Sequence, residues 1–433
     1  MHRCERTRLP LALLALCAIA APAGAQDDDE DIRGTIRGAA AAITIALPTP
    51  TVTGHQGTVD EILQTIRDDL SFSGWFHVVD PSLYRLVGQP DAQGEPFDAW
   101  ESIGVDDGFV RFEIKVADGR IDLTARLYDV KSKSLIRHWR YAGSVELRRR
   151  VGHTVSDEII LNYTGRKGVA MTRMAFVSRH GDGKEVYLMD YDGARVRRLT
   201  TSDTINLSPV WSPDGDELAW VSWHKRQPGV FLMNTKGELG HLPTVGGELS
   251  SAPDWSPDGT QLAYTSDVDG NTEIYLLDRT TGRNTRLTRH PGIDTAPAIS
   301  PNGREIAFTS DRTGRPQIYL MGIDGLNVRR ISWDGVYNDS PAWSPDGGKL
   351  AYASRIEGVF QILVLDNGTR KTTRLTFGPG NNENPRWSPD GRHLVFASNR
   401  GNGRYAIYTM RADGSHVKQL TTGRDAYTPD WSR

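Results

Sequence analysis

The stretch PAWSPDGGKLAYAS, residues 341–354, is one copy of a phrase that the chain writes repeatedly. Pro-x-Trp-Ser or a close variant begins at Pro209, Pro253, Pro297, Pro341, Pro385 and Pro429, always 44 residues apart. The third copy carries Ile299 for the tryptophan and Asn302 for the aspartate, so the wording drifts while the spacing holds. A fixed period of this length marks a repeat architecture before any single motif is weighed.

One period spells four short strands. Pro341–Ser344 reads as the first, and Ser344-Pro345-Asp346-Gly347 as a turn, with proline pre-setting φ and glycine able to go left-handed. Lys349–Ser354 is the second strand and Ile362–Leu365 the third. Asn367-Gly368 is a hairpin signal, and Thr373–Thr376 completes a fourth strand. Four antiparallel strands in 44 residues is the size of a β-propeller blade. The last full copy carries one extra residue near Gly401-Asn402-Gly403, a position expected at an exposed tip.

The final copy breaks off at Thr428–Ser432, and the array also opens on an incomplete unit. Ala175-Phe176-Val177-Ser178 matches Ala219-Trp220-Val221-Ser222 but has no first strand before it. The two fragments are complementary. The expected architecture is a six-bladed ring over residues 173–433, closed when the C-terminal strand pairs with the opening unit.

Residues 41–165 read as a small α/β domain, so the whole chain is expected to combine α/β and all-β parts. Val110, Phe112, Ile114 and Val116 alternate with Arg111, Glu113 and Lys115, predicting a half-buried strand. Asp118-Gly119 turns it into a second strand with Ile121, Leu123, Ala125 and Leu127 on one face. Thr58-Val59-Asp60-Glu61 reads as a capping box opening a helix that carries Ile62, Ile66 and Leu70. Leu147, Val151, Val155 and Ile159 mark a closing helix ended by Gly165.

The first 25 residues are of another kind. Arg3, Arg6 and Arg8 precede an apolar run, Leu11–Ala21, too short to span a bilayer. Ala23-Gly24-Ala25 then supplies a signal-peptidase pattern, placing the expected cleavage between Ala25 and Gln26 and the mature protein in an exported compartment. Both cysteines, Cys4 and Cys17, leave with that signal, so the mature chain needs no disulfide. Cys17 as a lipidation site is disfavoured by the bulky Leu16 before it. Residues 26–40 are acidic, then small and polar, and read either as a frayed end or as a flexible tether that orders on a partner.

Composition narrows the function classes. With 51 basic and 54 acidic residues intermixed, the chain has no electrostatic footprint for nucleic acid. WSPDG-type propellers also front some serine peptidases, but no Gly-x-Ser-x-Gly elbow occurs here. His153 and Asp157 lie one helical turn apart, and with no third ligand in sequence reach they read as helix surface or interface rather than half a metal site. Asp267-Val268-Asp269-Gly270-Asn271 lacks the glutamate and spacing of a calcium loop and reads as a turn. No catalytic residue, metal or cofactor is expected. The rival classes are a propeller enzyme, a small-ligand binder and a peptidoglycan-binding protein.

Taken together, an export signal, a small α/β domain and six WSPDG-type blades resemble the TolB family of the Tol–Pal system. The runs GHTVSDEII (152–160), FTSDRTGRPQIYLMGIDG (308–325) and RRISWDGVYN (329–338) carry the resemblance. It implies a soluble, monomeric, periplasmic adaptor rather than an enzyme. Such an adaptor binds the lipoprotein Pal at the propeller mouth and TolA through its N-terminus, and supports outer-membrane integrity and invagination at cell division. Other outer-membrane proteins or peptidoglycan are further partners it allows.

Residue by residue, Ala252 and Thr295 match family positions implicated in Pal binding, and Leu249 stands where the family often has histidine. The 44-residue rule adds Ser251, Ala296, Asp339, Ser340, Glu383 and Asn384 as equivalent places on the rim, plain surface loop being the alternative reading for each. Asp31, Ile32, Arg33 and Ile36 resemble the TolA-recognition segment, with the acidic run Asp27–Glu30 before them a departure from the family.

Overall fold

The computed structural model describes residues 42–90, 94–224, 228–245 and 250–433. Its first part runs β1 (Ile43–Ala46), β2 (Thr51–Gly54), α1 (Gln56–Ser73), β3 (Phe76–Val78), α2 (Phe97–Ser102), β4 (Gly108–Ala117), β5 (Arg120–Asp129), β6 (Ser134–Ser144) and α3 (Arg148–Thr164). The sheet order is β3-β1-β4-β5-β6, with β2 parallel to the far half of β4. Period-two alternation in β4 and β5 puts Phe112, Ile114, Ile121 and Leu123 on one face, against Ile62, Ile66 and Leu70 of α1 and Val155 and Ile159 of α3. Asp118 and Gly119 both adopt positive φ, the geometry of a tight hairpin between β4 and β5.

Two local expectations need correction. The capping box at Thr58 does not start α1. The helix begins at Gln56, and the His55 side chain accepts from the Thr58 backbone N–H, so the cap lies three residues earlier. The inner strands of the propeller are also longer than the Pro-x-Trp-Ser motif. Each starts three residues before its proline, as in Asn338–Trp343.

Among the described residues the second part holds six four-stranded antiparallel sheets. We number them as blades. Blade 1 is built from Ala426–Trp431 with Arg173–His180, Gly183–Asp190 and Arg197–Arg198, and blades 2 to 6 begin at Asn206, Ser250, Asp294, Asn338 and Asn382. The ring closes as the sequence requires: Ala426 pairs with Ser178, Tyr427 with Val177 and Trp431 with Met174.

Side chains explain the recurring phrase. Ser344 Oγ donates to Asp346 Oδ1 and accepts from Lys349 N, while Gly347 sits at φ 72°, so serine, aspartate and glycine together shape the turn. The tryptophans join blades. Trp343 Nε1 donates to the Ala298 carbonyl and Trp387 Nε1 to that of Ala342, each on the preceding blade. Trp431, 4 % exposed, donates from Nε1 to Thr172 Oγ1 and locks the closing strand.

Candidate binding surface

Antiparallel register sends the start of every inner strand, the second-to-third hairpins and the outer-to-inner links to one face of the ring. The WSPDG turns lie on the other. That second face meets the α/β domain through the C-terminal end of α1. The last carbonyls of a helix lack intrahelical donors, and blade 6 supplies them. Arg392 Nε and Nη2 donate to the carbonyls of Ser73 and Gly74, Arg411 Nη2 to Ser71, and His393 Nε2 to Phe72. The Phe72 ring stacks on His393 at 4.0 Å, and Arg392 lies 3.8 Å from the Trp75 ring centroid. Cations at a helix C-terminus are also favoured by its dipole.

Beside this contact is a buried polar knot. Asp69 accepts from His153 Nδ1 at 2.9 Å and from the hydroxyls of Ser156 and Tyr191. His153 is 2 % exposed and belongs to the contact between α3, α1 and blade 1. Asp157 does not join it as a ligand pair but accepts from the Ala170 and Met171 N–H groups, and burial pushes its carboxyl up to about 6. Among the described residues no group of three or more His, Cys, Asp or Glu is arranged to hold a metal ion.

The opposite face is not covered by any described helix. Ser208, Ala252, Ala296, Ser340, Asn384 and Thr428, one from each inner strand, ring its central opening. All six are left-handed, with φ from 42° to 56°, and each precedes a proline at a β-bulge. Proline has no N–H to offer a ladder, so a bulge is where a strand tolerates it. Four of these six, Ala252, Ala296, Ser340 and Asn384, come directly from the sequence reading. Ser208 and Thr428 were missed, although the same 44-residue step reaches them.

The other rim candidates sit one residue earlier, inside the strands rather than in loops. Thr295 Oγ1 lies 3.5 Å from Thr265 Oγ1, and Asp339 accepts from Thr309 Oγ1 at 2.8 Å. Burial raises the Asp339 carboxyl, and burial followed by the Asp339 charge raises that of Glu383, against a hydrogen bond from Tyr405. Ser251 lies on the inner strand Ser250–Trp255. Leu249, Ala25, Gln26, Asp31, Ile32, Arg33 and Ile36 fall outside the described residues.

Below the opening, the channel narrows on three charges. Arg386 lies 3.5 Å from Asp254 and 3.6 Å from Asp430. Both acids also stitch blades together, Asp254 accepting from Ile299 N and Asp430 from Trp211 N at 2.7 Å. Burial raises both carboxyls, Asp430 to about 6, while Arg386 pulls them back down. The cavity on the WSPDG side of this constriction has a volume of 80 Å³ and that on the rim side 60 Å³.

This arrangement defines a two-domain β-propeller protein whose ring carries an α/β domain on one face and, among the described residues, leaves the rim of the other open. A model of the TolB beta propeller domain matches residues 161–341 and 336–433, and one of the TolB amino-terminal domain matches residues 35–136. The chain belongs to the TolB family.

The Tol-Pal system protein TolB of Geobacter sulfurreducens is 37% identical over 217 residues, covering 49% of this chain and 50% of that one. Its counterpart in Chromobacterium violaceum is 33% identical over 214 residues, 49% of this chain and 48% of the relative. The chain thus spans about half the length of these curated relatives. The crystal structure of TolB from Acinetobacter baumannii superposes with a TM-score of 0.78 at 28% identity, covering 90% of this chain and 96% of that chain.

Proposed function

We propose that this chain is a periplasmic adaptor of the Tol–Pal system that binds Pal at the propeller mouth and TolA through its N-terminal segment. The observation that carries the reading is the face left uncovered among the described residues: a ring of six left-handed residues around an opening, with the chain's own domain on the far side. Rigid, pre-formed rims of this kind suit protein recognition, because little ordering remains to be done on binding.

In this reading Leu249, Ser251, Ala252, Thr295, Ala296, Asp339, Ser340, Glu383 and Asn384 contact Pal, and Asp31, Ile32, Arg33 and Ile36 contact TolA. Cleavage between Ala25 and Gln26 delivers the mature chain to the periplasm. It works there as a monomer, by binding rather than by catalysis, and helps the outer membrane stay intact and follow the constricting envelope at division. Among the described residues no helix is long and apolar enough to cross a membrane.

Calorimetric titration of the mature chain, residues 26–433, with the soluble domain of Pal tests the mouth. Ala252→Arg puts a long charged side chain into the opening and is expected to weaken binding at least about tenfold. Unchanged affinity removes the mouth from the reading. Deleting residues 26–36 is expected to abolish TolA binding. If the same deletion shifts Pal affinity, the two sites are coupled, and TolA must then alter Pal binding by the same factor. Identical Pal affinities dispose of the coupling.

A further inference from the structure

The rim is six-fold in backbone but not in chemistry. The position two residues past the fourth-strand leucine or isoleucine, carried through the repeat, holds Thr201, Thr244, Arg289, Trp333, Phe377 and Thr422. Only two are aromatic, they lie on consecutive blades, and they are the most exposed large apolar side chains on the described surface, Trp333 at 72% and Phe377 at 67%. Val336, on the same link as Trp333, is 52% exposed.

Neither ring is loose. Arg330 lies 4.5 Å from the Trp333 ring centroid and Arg374 4.7 Å from that of Phe377. Each arginine is pinned in turn, Arg330 Nε donating to the Ser332 carbonyl at 2.6 Å and Arg374 Nε to that of Thr376 at 2.8 Å. Arg286 makes the same bond to Thr288 on blade 3, so the clamp belongs to the fold and the exposed ring is an addition to it. An exposed aromatic held in place gives up little entropy on contact, which is the character of an interface hot spot.

Six residues beyond each ring, where the link has entered the next inner strand, stands an acid: Asp339 after Trp333 and Glu383 after Phe377. Elsewhere on this face two buried carboxylates have arginine partners, Glu273 with Arg286 and Asp294 with Arg312, while buried Glu185 is held by Thr200, Asp203 N and Asn206. Asp339 and Glu383 form no ion pair among the described residues; burial raises both carboxyls, and the Asp339 charge adds to the rise at Glu383. Two acids with no ion pair, at the inner ends of the links that carry the exposed rings, are complementary to a cation on an apolar stem. They are not complementary to an anionic bilayer, which two carboxylates repel. Neither ring lines the two channel cavities, where a small ligand would be enclosed.

We propose that the arc of Trp333, Phe377, Asp339 and Glu383 is the anchor of the open face, and that it takes a lysine or arginine of a partner protein whose flanking apolar side chains pack on the two rings. This rests on the reading that a protein partner occupies the face. It moves the main contact from the small rim residues Ala252 and Thr295 to the neighbouring blades.

The test uses the mature chain and the soluble domain of Pal in calorimetry at two salt concentrations. Trp333→Ala and Phe377→Ala are each expected to weaken binding about tenfold or more. Thr201→Ala and Thr422→Ala, the same position on other blades, stay within about twofold. Asp339→Asn with Glu383→Gln is expected to flatten the salt dependence. Both aromatic side chains are exposed, so their removal leaves the thermal midpoint nearly unchanged and loss of binding is not loss of fold. Undiminished affinity in both aromatic variants overturns the arc, and if Ala252→Arg still abolishes binding the mouth reading survives alone. Failure of the unchanged chain to bind Pal overturns both. Sedimentation with phosphatidylethanolamine–phosphatidylglycerol vesicles that depends on Trp333 would replace the protein partner with a membrane.

Discussion

At the scale of the residue, Arg386 shows how one side chain balances a ring. It occupies the middle position of its own Pro-x-Trp-Ser copy, where the other blades carry Val210, Asp254, Ala298, Ala342 and Asp430. Its guanidinium faces both acids, and removing one partner of a buried ionic group leaves charge uncompensated. Arg386→Leu is therefore expected to destabilise the chain by about 3 kcal/mol at pH 7.5 in urea unfolding. The loss has a pH signature. Asp430 has its carboxyl raised to about 6, chiefly by burial. A raised folded-state pKa means that proton uptake favours the folded form, so the contribution is present at low pH and lost as pH rises through that value. The variant should recover much of its deficit between pH 7 and pH 5, and a deficit equal at both pH values would show that the acids are not the cause.

At the scale of the element, the C-terminus of α1 is what holds the small domain to the ring. Arg392 answers two carbonyls and covers Trp75. Arg392→Ala is expected to cost about 2 kcal/mol, since hydrogen bonds from charged donors exceed neutral ones. Limited proteolysis should then cut between the domains sooner, while cleavage within the blades keeps its rate. His393 adds a second dependence. Burial first of all holds its imidazole down at about 4, and with Nε2 donating to Phe72 the Nδ1 atom is buried without a partner. A depressed folded-state value for a base makes the unfolded chain take up the proton first. Stability present above about pH 6.5 is thus lost progressively as pH falls toward 4. His393→Gln, which keeps a donor for Phe72, should flatten the thermal midpoint over that range. Persistence of the full slope would assign it to other groups.

At the scale of the whole molecule, closure decides everything else. Trp431 is buried against blade 1 with Phe72 and His393 nearby, so the closing strand also touches the small domain. Trp431→Ala is expected to destabilise by about 3 to 5 kcal/mol. Removing residues 426–433 should do more, because it bares the strand Arg173–His180 as an unpaired edge. Chemical denaturation of the shortened chain is expected to lose its single cooperative transition and to bring aggregation. A melt indistinguishable from that of the full chain would contradict the clasp.

The repeat, the blade strands, the turn chemistry and the pairing of the two broken units were legible along the chain because each depends on local pattern or on a fixed period. Alternation in β4 and β5 exposed the α/β sheet for the same reason, whereas β6 went unread: it is an edge strand with Leu135 and Ile136 exposed, and its packed face offers only the partly buried Trp139 and Tyr141. The true cap of α1, His55, was hidden because a histidine seldom plays that part. Other features depended on residues far apart in the chain meeting in space. Asp69 finds His153, the helix end finds Arg392, and Arg386 finds two acids from distant copies. Periodicity along a chain specifies which unit is built and how many times. Which face of the ring is covered, and how exposed the rings of Trp333 and Phe377 are left, was settled only by packing, since those contacts join sequence-distant groups whose partners no local pattern names.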